Sequence, residues 1–175
     1  VLTFSFAFEK PLTIENGIAF DALQYFSVAQ KFKSHQSLIG ESPFVYRMGL
    51  PFLVSVFFPE DLFLGFRFIN LVGSFISIFL LLIWLRLYLK NIFVRLLLII
   101  LFSTHWVGAL RLSYYSPVHV ESLNTAFNLI GFILVFYLLK TPKNLRLLAT
   151  FCAVIFFGVF FRETVIFLAI IYFAV

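Results

Sequence analysis

Long apolar runs separated by short polar connections dominate the sequence, and they predict membrane-spanning helices. An α-helix rises about 1.5 Å per residue, so about 20 mostly apolar residues cross the hydrocarbon core of a bilayer. Five stretches fit this description in whole or in part, at residues 60–89, 92–110, 117–139, 145–161 and 164–175. Residues 1–8 are also apolar and are expected to end an earlier span, which predicts a single membrane domain truncated at both ends.

The charged residues give these runs a direction. Six basic residues surround the first and third connections between runs: Arg86, Lys90, Arg95, Lys140, Lys143 and Arg146. Neither connection contains an acid, and all 8 acidic residues fall on the other side of the predicted membrane. Basic connections stay in the cytoplasm, so residues 9–59 are expected to form an outer loop. The pair Arg162-Glu163 is expected at an outer turn, because residues 145–175 would otherwise make about 46 Å of continuous helix with charges at its centre.

Composition supports a lipid environment. Of the 175 residues, 62% are hydrophobic and only 12% are charged, and 27 are Phe, whereas soluble domains are about 45–50% apolar and about 25% charged. This excludes a disordered chain, a disulfide scaffold and an ordinary water-soluble enzyme. The net charge of +5 lies at the ends of apolar runs, so topology explains it better than nucleic-acid binding. We expect an all-α, multi-pass transmembrane bundle in the cytoplasmic membrane, with an extracytoplasmic loop that carries amphipathic juxtamembrane helices.

The outer loop contains the most informative stretch. Residues 20–33 show helical periodicity, with Tyr25, Ala29 and Phe32 on one arc and polar residues on the other. Asp21 falls on the apolar arc, where a carboxylate is costly to bury. Asp21 with Gln24 has the spacing of a capping box and could simply start the helix. Alternatively, Asp21 is a general base held at the membrane surface, and the two roles are compatible.

Three short segments resemble the GT-C superfamily of multispanning glycosyltransferases. Residues 21–29 are similar to the first outer-loop signature of that superfamily, an Asp followed by an aromatic about four residues later and a small residue one turn on. Residues 43–51 resemble the aromatic, Arg-containing and Pro-containing stretch that follows, and residues 161–164 resemble a later charged outer turn. The departures are Phe20 and Ala22 beside the Asp, where several branches carry Trp or Gly.

The resemblance implies a glycosyltransferase whose active site lies on the outer face. The donor would be a polyprenyl-phosphate sugar, the acceptor a lipid, glycan or protein, and Asp21 the base that deprotonates the acceptor. Arg47, Arg111 and Arg162 are the candidate cations for the leaving phosphate. The other candidate substrate-binding residues are Tyr25, His119, Glu121 and Glu163. The Asp-x-Asp-like pair of the metal-dependent branch is missing, so we expect neither a catalytic metal nor a cofactor.

Several of these residues also allow simpler interpretations. Glu121, Asn124 and Asn128 form a stripe that either hydrogen-bonds between helices or lines a substrate cavity. His119 is either a substrate contact or an exposed histidine, and Arg162 and Glu163 either contact substrate or only neutralise each other at a turn. The same outer arginines would suit a transporter or flippase for a lipid-linked substrate, and a non-catalytic scaffold is a third possibility. Beyond the lipid-linked donor, the expected partners are membrane lipids, and nucleic acid is not expected.

Overall fold

The computed structural model describes residues 18, 21–38, 43–44, 46–104 and 116–174, and the regular structure in these ranges is entirely helical. This confirms the all-α class for the described part of the chain. The helices are α1 Asp21–Lys33, α2 Gly49–Phe57, α3 Leu62–Tyr88, α4 Ile92–Thr104, α5 Glu121–Lys140, α6 Leu145–Val159 and α7 Phe167–Ala174, with a 3-10 turn at Glu163–Ile166 before α7.

Two of these helices are long and apolar enough to cross a membrane. Helix α3 has 27 residues and α5 has 20, whereas the other apolar helices are shorter: Ile92–Thr104, Leu145–Val159 and Glu163–Ala174. The predicted span at 92–110 is described only as far as Thr104. The structure thus gives two spans by length and composition where the sequence predicts five segments.

Helices α3 and α5 lie side by side in parallel, and small side chains let them approach closely. Ser77 Oγ donates to the Ser122 carbonyl oxygen at 2.8 Å, near the start of α5. Further along both helices, the rings of Trp84 and Phe132 are 6.0 Å apart. The ring of Tyr88 lies 5.4 Å from that of a residue one turn further along α5, Phe136. The increasing residue numbers on both helices fix the parallel direction, so both basic connections lie at one end of the pair.

Helix starts differ in detail from the sequence expectation. The predicted span begins at residue 60, whereas α3 begins at Leu62 with Asp61 as its N-cap, and the Asp61 side chain accepts a hydrogen bond from the Leu64 amide at 2.9 Å. A capping carboxylate satisfies an amide that the helix itself leaves unpaired. Helix α5 starts at Glu121 because residues 116–120 form a turn. Buried Asn70 holds this turn, donating to the carbonyl oxygens of Pro117 at 2.6 Å and His119 at 2.8 Å.

Helices α6 and α7 form a hairpin around the turn that contains Arg162 and Glu163. The rings of Phe151 in α6 and Tyr172 in α7 are 5.5 Å apart, which places the two helices antiparallel. Gly158 permits the close approach, because a Cβ there would lie 2.7 Å from a methyl carbon of Val165. The charged pair therefore stands at the closed end of the hairpin.

The two helices of the predicted outer loop pack on the end of the bundle where α3 and α5 begin. The buried side chains of this contact come from α1, α2, the start of α3 and the turn before α5, and include Tyr25, Leu50, Val54, Phe66 and Val118. Helix α1 contributes the apolar side of its amphipathic surface to this contact, since Ala22, Tyr25 and Ala29 are buried. This packing brings the loop, the turn before α5 and the hairpin together.

Candidate functional site

A cluster of charged and polar side chains lies where these segments meet. It contains six of the predicted site residues, contributed by α1, the segment before α2, the turn before α5, the start of α5 and the hairpin turn: Tyr25, Arg47, His119, Glu121, Arg162 and Glu163. Their assembly from distant segments is a property of the fold, because 116 positions separate Arg47 from its partner Glu163.

Arg47 is the best-connected member of the cluster. Its Nε donates to Glu163 Oε2 at 2.8 Å, and its Nη2 donates to the other carboxylate oxygen, so the pair is bidentate. The remaining Nη1 donates to the Tyr25 hydroxyl at 3.1 Å, and the guanidinium carbon lies 5.9 Å from the centre of the Phe44 ring. Charge-assisted bidentate contacts of this kind are strong and directional, so the guanidinium is held in one orientation.

These contacts also set the protonation of the partners. The hydrogen bonds from Arg47 hold the pKa of the Glu163 carboxyl below its usual value. Burial raises the pKa of the Tyr25 hydroxyl, against the opposing effect of Arg47. Hydrogen bonding to Glu163 raises the pKa of Arg47 further. At neutral pH the cluster therefore contains a carboxylate, a neutral phenol and a guanidinium.

A backbone contact runs beside this ion pair. The Gly49 amide donates to the Phe160 carbonyl oxygen at 2.7 Å, joining the start of α2 to the hairpin. A Cβ at position 49 would lie 3.0 Å from that oxygen and 3.1 Å from the Phe161 ring. A residue without a side chain therefore permits the close approach of the two segments.

Arg162 forms the second ion pair, with Glu121 at the first position of α5. Both side chains are partly buried, with 28% of Arg162 and 22% of Glu121 exposed. The Arg162 Nε atom is buried and has no hydrogen-bond partner among the described residues. Arg162 also acts electrostatically on Tyr25, His119 and Glu163, so its charge is felt across the cluster.

His119 contacts Tyr25 and is also influenced by the charge of Asp21. The imidazole stands edge-on to the Tyr25 ring, with centroids 6.5 Å apart. Burial lowers the pKa of His119, Asp21 opposes this effect and Arg162 adds to it. The ring is therefore neutral at pH 7 and can accept a proton. His119 is only partly exposed, so it is not a freely exposed surface histidine.

Asp21 stands at the rim of the cluster. It is the first residue of α1 and is exposed, and its charge acts on both Tyr25 and His119. The acid contributes a favourable charge to the first turn of the helix. The capping-box interpretation places Asp21 just before the helix, whereas the structure places it within the first turn. The carboxylate is thus accessible from outside and close to the polar cluster.

The polar stripe of α5 makes contacts between helices. Asn128 Nδ2 donates to Asn124 Oδ1 at 3.0 Å, and Thr164 Oγ1 donates to the same oxygen at 3.3 Å. Asn124 therefore ties α5 to the hairpin turn just below Arg162. The Asn128 bond lies within α5, whereas the Thr164 bond joins α5 to the hairpin and supports the interhelical interpretation at Asn124.

An apolar cleft of about 640 Å³ opens beside the cluster. Its lining includes Met48, Gly49, Phe52, Phe127, Phe157 and Phe161. Met48 and Gly49 directly follow Arg47 in the chain, and Phe161 directly precedes Arg162. Sequence reasoning missed this cleft. The only available signal was the density of Phe near positions 52 and 157–161, which resembles any apolar helix face.

Seven of the eight predicted site residues fall in the described ranges, and Arg111 lies outside them. Within those ranges, no group of three or more His, Cys, Asp or Glu side chains could hold a metal ion.

Comparison with protein family models, curated proteins and solved structures found no match for this chain.

Proposed function

We propose that this chain belongs to an integral membrane glycosyltransferase that moves a sugar from a polyprenyl phosphate to a lipid, glycan or protein acceptor at the outer membrane face. One observation carries the proposal. An aromatic apolar cleft is lined by Met48 and Phe161, the chain neighbours of the paired arginines Arg47 and Arg162, and the charge of an exposed carboxylate, Asp21, acts on the same cluster. This is the arrangement that an amphiphile with an anionic head and an apolar chain requires.

The phosphate end of the donor would lie at the arginines. Guanidinium groups bind phosphate oxygens through paired hydrogen bonds, and Arg47 is already oriented by Tyr25. A positive charge here stabilises the phosphate as it leaves the sugar. The chain of the donor would lie against the phenylalanine rings of the cleft, where burial of apolar surface favours binding.

Asp21 would then serve the acceptor. In the transfer, the acceptor hydroxyl gives its proton to the Asp21 carboxylate, and its oxygen bonds to the anomeric carbon of the sugar. The bond from that carbon to the phosphate oxygen breaks, and polyprenyl phosphate leaves. The exposure of Asp21 supports this role because an acceptor can reach it from outside. The resemblance of residues 21–29 to the GT-C signature supports the same assignment.

A membrane location is supported by the surface of the long helices. Only 33% of the most apolar window in each of α3 and α5 is buried within the described molecule. Large side chains such as Phe68, Phe75 and Phe79 on α3 are exposed, and an apolar surface of this extent favours contact with lipid or another apolar partner. We propose a multi-pass protein of the cytoplasmic membrane, with its basic connections inside.

Asp21→Asn in the full-length protein tests the proposal. The protein would be reconstituted in liposomes and assayed for transfer from radiolabelled polyprenyl-phosphate sugars. Loss of a general base slows transfer by about 100-fold or more, whereas Asn remains compatible with the start of a helix. Glu60→Gln is the matched control, because Glu60 is an exposed acid at the start of α3 and should retain full activity.

Three outcomes separate the possible functions. Lost transfer in the Asp21 variant, with normal folding and an active control, supports the enzyme. Transfer at the wild-type rate removes Asp21 from the mechanism. Movement of the lipid-linked sugar across the bilayer with no glycosidic bond formed identifies a transporter or flippase instead.

A further inference from the structure

The two ion pairs of the cluster differ in how deeply their partners are buried. In the first pair only 12% of the Arg47 side chain is exposed, against 52% of Glu163. In the second pair the two partners are similar, with 28% of Arg162 and 22% of Glu121 exposed. The first pair therefore joins a fixed cation to a carboxylate at the surface, whereas the second joins two partly buried groups.

We propose that Glu163 is a displaceable counter-ion, which occupies on Arg47 the position that the phosphate of the lipid-linked substrate takes when it binds. The inference deepens the proposed function and rests on it for the identity of the ligand. Carboxylate and phosphate groups both accept two parallel hydrogen bonds from one edge of a guanidinium. Glu163 uses the edge formed by Nε and Nη2, and Tyr25 accepts from Nη1, so exchange at the first edge leaves the orienting bond to Tyr25 intact.

Arg47 needs such a counter-ion when no phosphate is bound. A guanidinium with little access to water is costly without a partner, and Arg47 directly precedes two residues that line the apolar cleft. When a phosphate replaces Glu163, the released carboxylate is already half in water and becomes hydrated at low cost. Release of Glu121 from Arg162 would require a larger change, because that acid is only 22% exposed in its ion pair. The difference in burial thus predicts which carboxylate moves.

The position of the cleft fits the exchange. Arg47 precedes the lining residues Met48 and Gly49, and Glu163 follows Phe161 by two positions. An apolar chain lying along these residues would place a terminal phosphate near the segments that carry the Arg47–Glu163 pair. The carboxylate therefore controls entry of the anionic head while leaving the cleft itself unchanged.

Direct binding of farnesyl phosphate tests this inference without an activity assay. The full-length protein in lipid nanodiscs would be titrated with farnesyl phosphate and with farnesol, which has the same chain and no charge. Glu163→Gln keeps the shape of the side chain and removes the competing charge. We expect it to bind farnesyl phosphate about threefold to tenfold more tightly than wild type, with farnesol binding unchanged.

The controls distinguish exchange from a structural role. Glu60→Gln removes an exposed acid outside the cluster and should not tighten binding, and Arg47→Gln should abolish the preference for farnesyl phosphate over farnesol. Glu163→Asp retains the charge but shortens the reach to Arg47, so it should tighten binding even if the Gln variant folds poorly. Thermal unfolding of each variant checks that the protein is folded.

The contradicting outcomes are separable. Unchanged or weaker binding of farnesyl phosphate by both Glu163 variants shows that Glu163 is only a structural clamp and overturns the exchange, while the proposed transferase stands if the wild type transfers sugar. Equal binding of farnesyl phosphate and farnesol by the wild type overturns the exchange together with the proposed ligand class.

Discussion

Burial sets the charge of the polar residues around Tyr25, and His119 shows this most directly. The turn that carries His119 is held by a hydrogen bond from α3, because buried Asn70 donates to the His119 carbonyl oxygen. Desolvation lowers the pKa of the ring, and Arg162 from the hairpin turn lowers it further, while Asp21 from α1 raises it. Tyr25, also from α1, faces the ring as a neutral phenol. The folded protein therefore resists protonation of this histidine.

A pH dependence of stability follows from that shift. The unfolded chain binds a proton near the ordinary histidine value of about 6.5, whereas the folded protein binds it only at lower pH. Stability from this residue is thus complete above that value and falls as the pH drops below it. We expect the melting temperature of the wild type to decrease from about pH 7 towards pH 5 and the decrease to be smaller in His119→Gln.

His35→Asn is the control for that measurement. His35 is exposed and has a φ of 52°, a backbone conformation that Asn tolerates. Its replacement should leave the pH dependence of melting unchanged. The same decrease in His119→Gln as in the wild type would show that the buried ring does not titrate differently in the folded protein.

The sequence predicted many of the residues of the site but none of their pairings. Asp21, Arg47 and Glu163 stood out because charges are rare in an apolar chain. The partnership of Arg47 with Glu163 connects two segments far apart in the chain, and no spacing rule relates them. Arg162-Glu163 was considered as a self-neutralising pair, whereas each residue has its ion-pair partner in another segment.

At the scale of the helices, small residues decide how closely the elements pack. Gly65 on α3 faces the end of α2, and a Cβ there would lie 2.7 Å from the Cβ of Phe58 and 3.0 Å from a methyl carbon of Val54. Neither neighbour can move without shifting α2, because Val54 is fully buried and the Phe58 Cβ is attached directly to the backbone. This contact positions the segment that carries Arg47.

Gly65→Ala should therefore destabilise the protein although Ala favours helices. Overpacking of a tight contact costs about 1–3 kcal/mol, which exceeds the helix-propensity gain of about 1 kcal/mol. Denaturation in detergent micelles measures the difference. Val72→Ile adds one carbon to the exposed face of the same helix and should have little effect. Equal stability of the Gly65 variant and wild type would show that the two helices separate easily.

The apolar runs predicted which segments form helices, but they did not predict the residue at which each helix starts. The predicted spans begin at residues 60 and 117, whereas α3 and α5 begin later, at Leu62 and Glu121. In α3 the side chain of Asp61 supplies the cap. In α5 the start depends on Asn70, a residue of another helix. Local signals cannot report a boundary that a tertiary hydrogen bond sets.

For the whole molecule, the parallel packing of α3 and α5 separates charge between two ends. Asp61 and Glu121 stand at the first end with the candidate site, and Arg86 and Lys140 stand at the other. The assignment of these two ends to opposite sides of a membrane stays a prediction. The apolar cleft was not predictable, because α1, the start of α2, α5 and the hairpin each contribute to its wall.

Cysteine labelling tests the sidedness of this arrangement. In a Cys152→Ala background, cysteines would replace Glu60 and Lys143, which are both exposed. We expect Glu60→Cys to react with a membrane-impermeant maleimide on intact cells and Lys143→Cys to react only after permeabilisation, because basic connections remain in the cytoplasm. Labelling of both positions from the same side would contradict a membrane crossing between them.

We propose that the cleft lined by the chain neighbours of Arg47 and Arg162 binds a lipid-linked phosphate. Photocrosslinking with a polyprenyl phosphate that carries a diazirine in its chain tests this binding. We expect crosslinks to cleft residues such as Phe52 and Phe157; excess polyprenyl phosphate should suppress them more strongly than polyprenol, and Arg47→Gln should remove them. Crosslinks spread over the exposed faces of α3 and α4, with no effect of competitor or variant, would contradict it.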